Sequence, residues 1–199
     1  MTNIWFASHN AHKIQELQTL IHPLGWNIKG IEEAGIIDEI EETGLTLQEN
    51  ALIKAKFAYD RLNEPCISDD SGLEVSALSG RPGVHSARFA GLPPDSEKNI
   101  KLLLSNMKGQ ENRKAQFRTV ICMIISNTAY YFEGSIQGDI TSEARGVGGF
   151  GYDPIFMPEG HQQTFAEMTS EQKNSMSHRS RAVGRWLDFL KGKGSLLNP

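Results

Sequence analysis

The sequence predicts an α/β fold in which helices flank a mixed β-sheet. Short apolar runs alternate with amphipathic helical patterns through the first half of the chain. Two long strand-like runs then follow each other directly, and a helical pattern closes the chain. Alternating strands and helices are typical of parallel pairing, whereas strands joined by a tight turn pair antiparallel, so both kinds of pairing are expected in one sheet.

The first elements are a strand and a helix. The short apolar run Asn3–Ala7 predicts a buried strand. Apolar residues at helical spacing from Ile14 to Leu24 predict a helix, and Gly25 is placed to end it. Asn27–Ile37 carries a weaker pattern and predicts a strand followed by loop.

A second helix is predicted to run to about Leu62. It opens with Thr46-Leu47-Gln48-Glu49, a capping box in which the first and fourth side chains satisfy free backbone N–H groups. A short strand near Cys66–Ser68 follows, and the adjacent acids Asp69-Asp70 predict that it ends in a turn.

The second half begins with a long loop. Residues 80–94 are rich in glycine and proline, and Ser96 is placed to cap the helix that follows. Ala115–Ser126 and Ala129–Ile140 are strand-like and predict a hairpin joined at Asn127-Thr128.

Residues 141–180 predict mostly loop, and a final helix follows. Its apolar face has the spacing i, i+3, i+4, i+7, at Val183, Trp186, Leu187 and Leu190. The 199 residues contain no repeat or linker, so residues 1–199 are predicted to form one domain.

Composition excludes several protein classes. A hydrophobic content of 39% is enough for a folded core. The N-terminus has no basic segment before an apolar run, and no stretch approaches bilayer length, so we expect a soluble cytoplasmic protein. Cys66 and Cys122 lie far apart in apolar runs and predict buried free thiols. The net charge of −4 argues against broad nucleic-acid binding but allows a small anionic ligand.

The most informative stretch is Ser68–Val75, which reads Ser-Asp-Asp-Ser-Gly-Leu-Glu-Val. Adjacent carboxylates repel each other, and at a strand end they suit a hard cation such as Mg²⁺. Asp, Ser and Gly are also common in solvated turns, which is the alternative interpretation. A third carboxylate could come from the acidic run at Glu41-Glu42-Thr43-Gly44, although such runs are usually solvated surface.

A second motif, Ser8-His9-Asn10-Ala11-His12-Lys13, lies between the first strand and the first helix. Free N–H groups at a helix start suit phosphate, and Lys13 adds a full charge. The motif lacks the glycines of a P-loop. An ordinary helix cap with a surface lysine would explain the same residues.

A third motif is the glycine-rich run Gly146–Pro154. It satisfies G-x-G-x-x-G, but no apolar strand directly precedes it and Pro154 blocks an immediate helix, so a dinucleotide fold is rejected. Phe150, flanked by glycines, is suited to stack on a base. A glycine-rich hairpin or bulge is the alternative.

Cationic side chains complete the set. Lys173 and Ser177-His178-Arg179 lie at the predicted start of the last helix, and Ser86-Ala87-Arg88 is a weaker candidate in the long loop. Lysine and arginine donate hydrogen bonds and accept none, which suits phosphate or a base edge rich in carbonyl oxygens. Acids for a metal, cations for phosphates and an aromatic ring for stacking are what a metal-bound nucleoside triphosphate needs.

In their order along the chain, these motifs resemble the inosine triphosphate pyrophosphatase family, hydrolases of non-standard purine nucleoside triphosphates. The matching segments are Ser8–Lys13, Glu41–Gly44, Ser68–Val75, Gly83–Phe89, Gly148–Phe156 and Ser177–Arg179. The resemblance implies an elongated mixed sheet with two lobes around a central cleft, and a homodimer. It also implies Mg²⁺-dependent cleavage of inosine, deoxyinosine or xanthosine triphosphate to the monophosphate and pyrophosphate.

The same resemblance implies the residues that bind the triphosphate and the metal. Metal-binding carboxylates fall on Glu41 and Asp70, Asp70 is also the proton acceptor, and Ser71 contacts substrate. His9 stands where many members have glycine, which puts a side chain beside the phosphates. The implied phosphate segment consists of Ser8, His9, Asn10, Ala11, His12 and Lys13.

The resemblance also implies a base-binding set. Phe150 would stack on the purine, and Lys173 and Arg179 would donate to its 6-oxo group. Adenine carries an amino donor at that position, so its discrimination would follow from unpaired donors. The full implied set is Phe150, Gly151, Tyr152, Asp153, Lys173, His178 and Arg179.

Two other functions stay open at this stage. A non-hydrolytic nucleotide-binding regulator would keep the glycine-rich run and the cations but would not need Asp69-Asp70. A glycosidase with paired carboxylates would use the acids, but adjacent aspartates diverge in an extended strand and the cations would have no purpose.

Overall fold

The computed structural model describes residues 2–8, 11–22 and 26–192. Within them the chain forms six strands and five α-helices. The strands are β1 (Thr2–Phe6), β2 (Trp26–Gly30), β3 (Cys66–Val75), β4 (Lys114–Ile125), β5 (Thr128–Ile140) and β6 (Phe156–Pro158). The helices are α1 (Ala11–Ile21), α2 (Leu47–Leu62), α3 (Ser96–Asn106), α4 (Ser170–Met176) and α5 (His178–Gly192).

The strands form one sheet in the order β2-β1-β3-β4-β5-β6. β1 pairs in parallel with both β2 and β3, and β5 pairs antiparallel with β6. The predicted α/β class with a mixed sheet is therefore confirmed. The elongated shape and the cleft between two lobes stay predictions.

The chain divides into two compact units. Unit 1 comprises residues 1–70, 120–133 and 181–199, and unit 2 comprises residues 71–119 and 134–180. The division falls inside β3, between Asp70 and Ser71. Each unit therefore draws on segments that are distant in sequence.

Each unit has its own apolar core. In unit 1, Trp186 is fully buried, and its indole N–H points at Met123 Sδ at 3.2 Å. In unit 2, an aromatic cluster of Phe117, Phe156 and Phe165 fills the core, with centroids of the first two 4.6 Å apart. Close packing of rings in this geometry stabilises a core beyond the area that it buries.

Several predicted elements are confirmed. Thr46 caps α2, and its hydroxyl and the Glu49 carboxylate form the reciprocal capping box. The predicted hairpin of β4 and β5 forms, but its turn lies at Ser126 and Asn127, one residue before the predicted position, because these two residues adopt the φ angles of 48° and 59° that a type I′ turn requires. Cys66 and Cys122 are buried free thiols.

Other expectations need correction. β3 does not end near Ser68 but continues through Asp69 and Asp70 to Val75, because both carboxylates have cationic partners inside the fold. The cap of α3 is Asp95 rather than Ser96.

The segment 141–180, expected to be mostly loop, also contains β6 and α4. Strands of three residues and helices of seven are too short for periodicity to reveal. Leu24 and Gly25, the predicted end of the first helix, lie outside the described residues. In the described part of the chain, no helix has both the length and the apolar character that a membrane crossing needs.

Candidate active site

Two groups of buried and half-buried charged and aromatic side chains are candidates for the site, one in each unit. The acidic group, in unit 1, consists of Glu42, Asp69, Asp70, Lys13 and Lys54. The aromatic–cation group, in unit 2, consists of Phe150, Asp153, Lys173, His178 and Arg179.

The acidic group is centred on two buried aspartates of β3. Asp69 and Asp70 are only 2% and 6% exposed. Lys13 Nζ lies 2.9 Å from Asp69 Oδ1, and Lys54 Nζ lies 3.4 Å from Asp70 Oδ1. Because consecutive side chains of a strand point to opposite faces, each aspartate takes its lysine from a different helix.

Helix α2 carries two polar residues that face Asp70. Asn50 Nδ2 donates to Asp70 Oδ2 at 3.2 Å, and Lys54, one turn later, reaches the other carboxylate oxygen. Lys54 Nζ also lies 2.5 Å from Glu42 Oε1. Residues four apart share a helix face, so the helix aligns an amide and an ammonium on one carboxylate.

Asn50 also anchors the acidic loop before α2. Its Oδ1 accepts the N–H of Gly44 at 2.8 Å. A Cβ at position 44 would lie 2.7 Å from that oxygen, so the close approach requires glycine. Asn50 thus links the loop, at Gly44, to the Asp70 carboxylate, and the glycine that ends the Glu-Glu-Thr-Gly motif makes this contact possible.

Burial and neighbouring charges shift the pKa values of the central pair. Burial has the largest effect on Asp70 and raises its pKa. The two lysines oppose the rise and the other two carboxylates reinforce it, so the net shift is upward. Burial would lower the pKa of Lys54, but the three carboxylates outweigh it and the pKa is raised.

The group has unbalanced charge. Among the five described side chains of this group, three are carboxylates and two are lysines, so −3 and +2 give these five a net charge of −1. Within the described residues, no three His, Cys, Asp or Glu side chains come close enough together to hold a metal ion. Mg²⁺ needs only one or two protein carboxylates when phosphates and waters supply the remaining ligands, so these hard oxygen donors fit it.

The structure does not bring every predicted triphosphate residue into this group. Glu41 is exposed, and its neighbour Glu42 is the residue that contacts Lys54. The role of Glu41 as a metal ligand stays a prediction. Ser8 follows β1 and is half-buried. His9 and Asn10, and the side chains of Ala11 and His12, lie outside what the structure describes.

The aromatic–cation group is organised by Asp153. Its buried carboxylate oxygen Oδ2 accepts Lys173 Nζ at 2.7 Å and the backbone N–H of Phe150 at 2.8 Å. Lys173 Nζ in turn lies 4.6 Å from the centroid of the Phe150 ring. The Arg179 guanidinium carbon lies 5.7 Å from the same centroid, so two cations flank this ring.

The glycines of the run have steric reasons. Gly149 has φ +71°, and a Cβ there would lie 2.1 Å from Asp153 Oδ2. Gly146 has φ +80°, and a Cβ would lie 2.5 Å from the backbone of Ala166. Glycine at these two positions allows the backbone of the run to pack against Ala166 and against Asp153, whose carboxylate accepts the Phe150 N–H.

Tyr152 and His178 are buried side chains that contact other residues of unit 2. Tyr152 is 4% exposed, and its hydroxyl donates to the carbonyl of Ser86 at 2.9 Å. The His178 imidazole is 5% exposed and stacks on Phe117, with centroids 4.8 Å apart and planes 13° from parallel. Their contacts with substrate stay predictions.

Sequence reasoning missed Asn50, Lys54 and the choice of Glu42 within the acidic run. One signal was available for Lys54. It lies at i+3 from Ala51 and at i−4 from Ala58, on the face of α2 that these small buried residues define. A lysine at such a position is buried only when it has a charged partner.

The sequence is similar to known proteins over nearly its whole length. The sequence profile of the Ham1 family matches residues 4–189. A dITP/XTP pyrophosphatase of Porphyromonas gingivalis is 49% identical over 191 residues, which cover 96% of this chain and 98% of that protein. Such identity over nearly the full length of both chains shows common ancestry.

Solved structures agree with the fold. The Ham1 protein of Staphylococcus aureus superposes with a TM-score of 0.89 and 40% identity, covering 96% of this chain and 99% of that one. A HAM1 protein from Coxiella burnetii gives a TM-score of 0.91 and 36% identity, covering 96% of this chain and all of that one (100%). The match extends over both units, since it leaves out only a few per cent of the chain.

Proposed function

The chain belongs to the Ham1 family, and we propose that it hydrolyses non-standard purine nucleoside triphosphates to the monophosphate and pyrophosphate. Inosine, deoxyinosine and xanthosine triphosphates are the substrates. The family resemblance of the motifs and the relative from Porphyromonas gingivalis support this assignment.

One observation carries the proposal: a buried aspartate with a raised pKa lies among fixed cations and further carboxylates. Asp70 meets Lys54 and Asn50, and Asp69 beside it meets Lys13. A non-hydrolytic binding protein would have no need of this excess of buried acid. A raised pKa makes a carboxylate a stronger base, so Asp70 is suited to take a proton from water.

In the proposed reaction, Asp70 Oδ accepts the proton of the attacking water, whose oxygen forms a bond to phosphorus as the bond to the leaving phosphate oxygen breaks. Asn50 fixes the orientation of the Asp70 carboxylate by donating to Oδ2. Lys13 and Lys54 stabilise negative charge on the phosphates and on the departing pyrophosphate. Lys54 is not a proton donor in this scheme, because its raised pKa keeps it protonated.

We propose Mg²⁺ as the cofactor, held by Asp70 together with Glu41 or Glu42. When bound, it would neutralise phosphate charge and lower the pKa of the attacking water. The gathering of three carboxylates in the acidic group supports a bound cation, because carboxylate oxygens are hard ligands.

The aromatic–cation group is proposed to bind the purine. Phe150 offers a ring for stacking, and Arg179 offers donors for the 6-oxo group. Lys173 donates to Asp153, so it holds the group together in addition to its proposed hydrogen bond to the purine. The position of Arg179 next to Phe150 supports recognition of a 6-oxo purine over adenine.

We further propose that the protein is a cytoplasmic homodimer, as the family resemblance implies. Light scattering of the full chain would give twice the monomer mass. A monomer mass at micromolar concentration would contradict this part of the proposal.

The activity is tested by incubating the protein with deoxyinosine triphosphate and Mg²⁺ and measuring pyrophosphate and orthophosphate separately. Equal amounts of deoxyinosine monophosphate and pyrophosphate are expected, with loss of activity when the metal is chelated. Orthophosphate with the diphosphate, or no product, would contradict the proposal.

A further inference from the structure

The hydroxyl of Tyr152 connects the glycine-rich run to a distant loop of unit 2. The Tyr152 side chain is almost fully buried, and its hydroxyl donates to the backbone carbonyl of Ser86 at 2.9 Å. Burial raises the pKa of this hydroxyl, so the group keeps the proton that it donates. The glycine-rich run is therefore attached through one side chain to the backbone of residue 86.

Ser86 is a fixed attachment point because several hydrogen bonds hold it. Its buried hydroxyl accepts the backbone N–H of Leu73 at 2.9 Å and donates to the carbonyl of Gly83 at 2.6 Å. Asn99 on α3 donates to the Ser86 carbonyl at 3.4 Å and to the Ala87 carbonyl at 2.9 Å. Both β3 and α3 thus hold this residue in place.

Tyr152 lies inside the short turn that carries Phe150. The Asp153 N–H donates to the Phe150 carbonyl at 3.2 Å, and the Asp153 carboxylate accepts the Phe150 N–H at 2.8 Å. Gly149 and Gly151 flank the phenylalanine with φ angles of +71° and +61°. Because glycine restricts the backbone less than any other residue, the position of the ring depends on contacts between this turn and the rest of the unit.

We propose that Tyr152 is a positioning residue that fixes Phe150 for stacking on the purine by anchoring the turn 150–153 to the Ser86 carbonyl. The inference rests on the proposed function, in which Phe150 stacks on the base. The Tyr152 hydroxyl acts through Phe150 and makes no contact with the substrate. A ring that is already in place loses less conformational freedom when the base binds.

Tyr152→Phe tests this role because it removes only the hydroxyl. Asn99 still donates to the Ser86 carbonyl in this variant, so that buried carbonyl keeps a donor and the chain should fold. Tyr59→Phe is the matched control, since the Tyr59 hydroxyl in unit 1 also bonds a backbone group and accepts the Asn127 N–H at 2.9 Å. The measurement is kcat/KM for pyrophosphate release from deoxyinosine triphosphate, with the melting temperature recorded for each variant.

A double-mutant cycle with Phe150→Leu shows whether Tyr152 acts through the ring. In the parent chain, Tyr152→Phe should lower kcat/KM about 3- to 10-fold, the effect of one neutral hydrogen bond. In the Phe150→Leu background it should change kcat/KM by less than about twofold, because the ring that it positions is gone. Tyr59→Phe should stay within about twofold of the parent chain.

Two product inhibitors separate base binding from a general loss of structure. Deoxyinosine monophosphate carries the base, so its inhibition constant should rise about 3- to 10-fold in Tyr152→Phe. Inorganic pyrophosphate has no base, so its inhibition constant should stay within about twofold of the parent value.

An equal loss from Tyr152→Phe in both Phe150 backgrounds, or an equal rise of both inhibition constants, would show a purely structural role and overturn the inference. An unchanged kcat/KM in the parent background would overturn it as well. Failure of the parent chain to release pyrophosphate would instead contradict the proposed function itself. The two failures are thus distinguished in one series of assays.

Discussion

Each unit buries a lysine against an aspartate, yet the two pairs differ in what surrounds them. In unit 2, Lys173 Nζ lies 2.7 Å from Asp153 Oδ2, and the rings of Phe150 and Phe165 lie against the lysine. In unit 1, Lys54 is 3.4 Å from Asp70 and shares its charge with Glu42. The first pair is balanced in charge, and the second has an excess of carboxylate.

The different surroundings of the two lysine–aspartate pairs indicate different roles. A balanced pair enclosed by aromatic rings fixes positions, and Asp153 does so for both Lys173 and the Phe150 backbone. An unbalanced group with a raised carboxylate pKa is suited to hold a cation and to move a proton. We therefore propose that the acidic group carries out the reaction and that the aromatic–cation group selects the base.

The largest expected effect comes from Asp70→Asn, which removes the proposed base without changing its size. We expect kcat to fall about 10³-fold, within the range of general-base catalysis, while circular dichroism stays that of the parent chain. Asp60→Asn is the matched control, because Asp60 is exposed on α2 and pairs only with the exposed Lys56 among the described residues. Near-normal turnover of Asp70→Asn would remove the reaction from the acidic group.

Lys54→Met tests how strongly the carboxylates of the acidic group depend on this lysine for stability. Removing one partner of a buried pair leaves carboxylates without compensation and costs about 3–5 kcal/mol of unfolding free energy. The raised pKa of Lys54 means that its contribution is fully present below 10.5 and is lost as pH rises through the folded-state value.

In the Lys54→Met variant, the carboxylates need a counter-charge only once they ionise. The deficit relative to the parent chain should therefore grow as pH rises above 3.8, the ordinary pKa of Asp70. Chemical denaturation at several pH values measures it, with the exposed Lys56→Met as control. A deficit that is the same at all pH values would contradict the assigned charges.

Gly149→Ala tests the aromatic–cation group through its backbone. The new Cβ would lie 2.1 Å from Asp153 Oδ2, so the carboxylate must move and release Phe150 and Lys173. We expect kcat/KM for deoxyinosine triphosphate to fall about 10²-fold, as a misplaced binding group does.

The matched control is Gly160→Ala. Gly160 also has positive φ, at +81°, but a Cβ there meets no atom within 4 Å. Both variants should lose about 1–2 kcal/mol of stability from the left-handed backbone. Only Gly149→Ala should lose activity, and equal activities would show that Asp153 does not position the base-binding residues.

The smallest expected effect is that of Arg179→Ala on base preference. The ratio of kcat/KM for deoxyinosine over deoxyadenosine triphosphate should fall at least about 10-fold, because a donor to the 6-oxo group is lost. Arg185→Ala, on the exposed side of the same helix, is the control. An unchanged ratio would remove Arg179 from base recognition.

The two regions also differ in how far the sequence could predict them. The capping box of α2 and the β-hairpin are local, and neighbouring residues predict both, the hairpin turn to within one residue. The partners of the central aspartates are not local: Lys13 precedes Asp69 by 56 residues, and Lys54 precedes Asp70 by 16. Without those partners, two adjacent acids indicate a turn, which is why the strand was predicted to end too early.

In the aromatic–cation group, too, the contacts between side chains could not be predicted from the sequence. Phe150 and the surrounding glycines indicated a backbone that approaches something closely. That the nearest approach is to Asp153 of the same chain depends on the fold of the run and could not be inferred from spacing. The resemblance to a family supplied the candidate residues, and the structure supplied the contacts among them.

The division of labour is tested most directly by measuring kcat/KM for deoxyinosine and deoxyadenosine triphosphates in Asp70→Asn. If the acidic group performs the reaction and the other group selects the base, both values fall by the same factor and their ratio keeps its parent value. A ratio that shifts by 10-fold or more, roughly the effect expected for a lost base contact, would show that Asp70 takes part in choosing the base and would contradict this account.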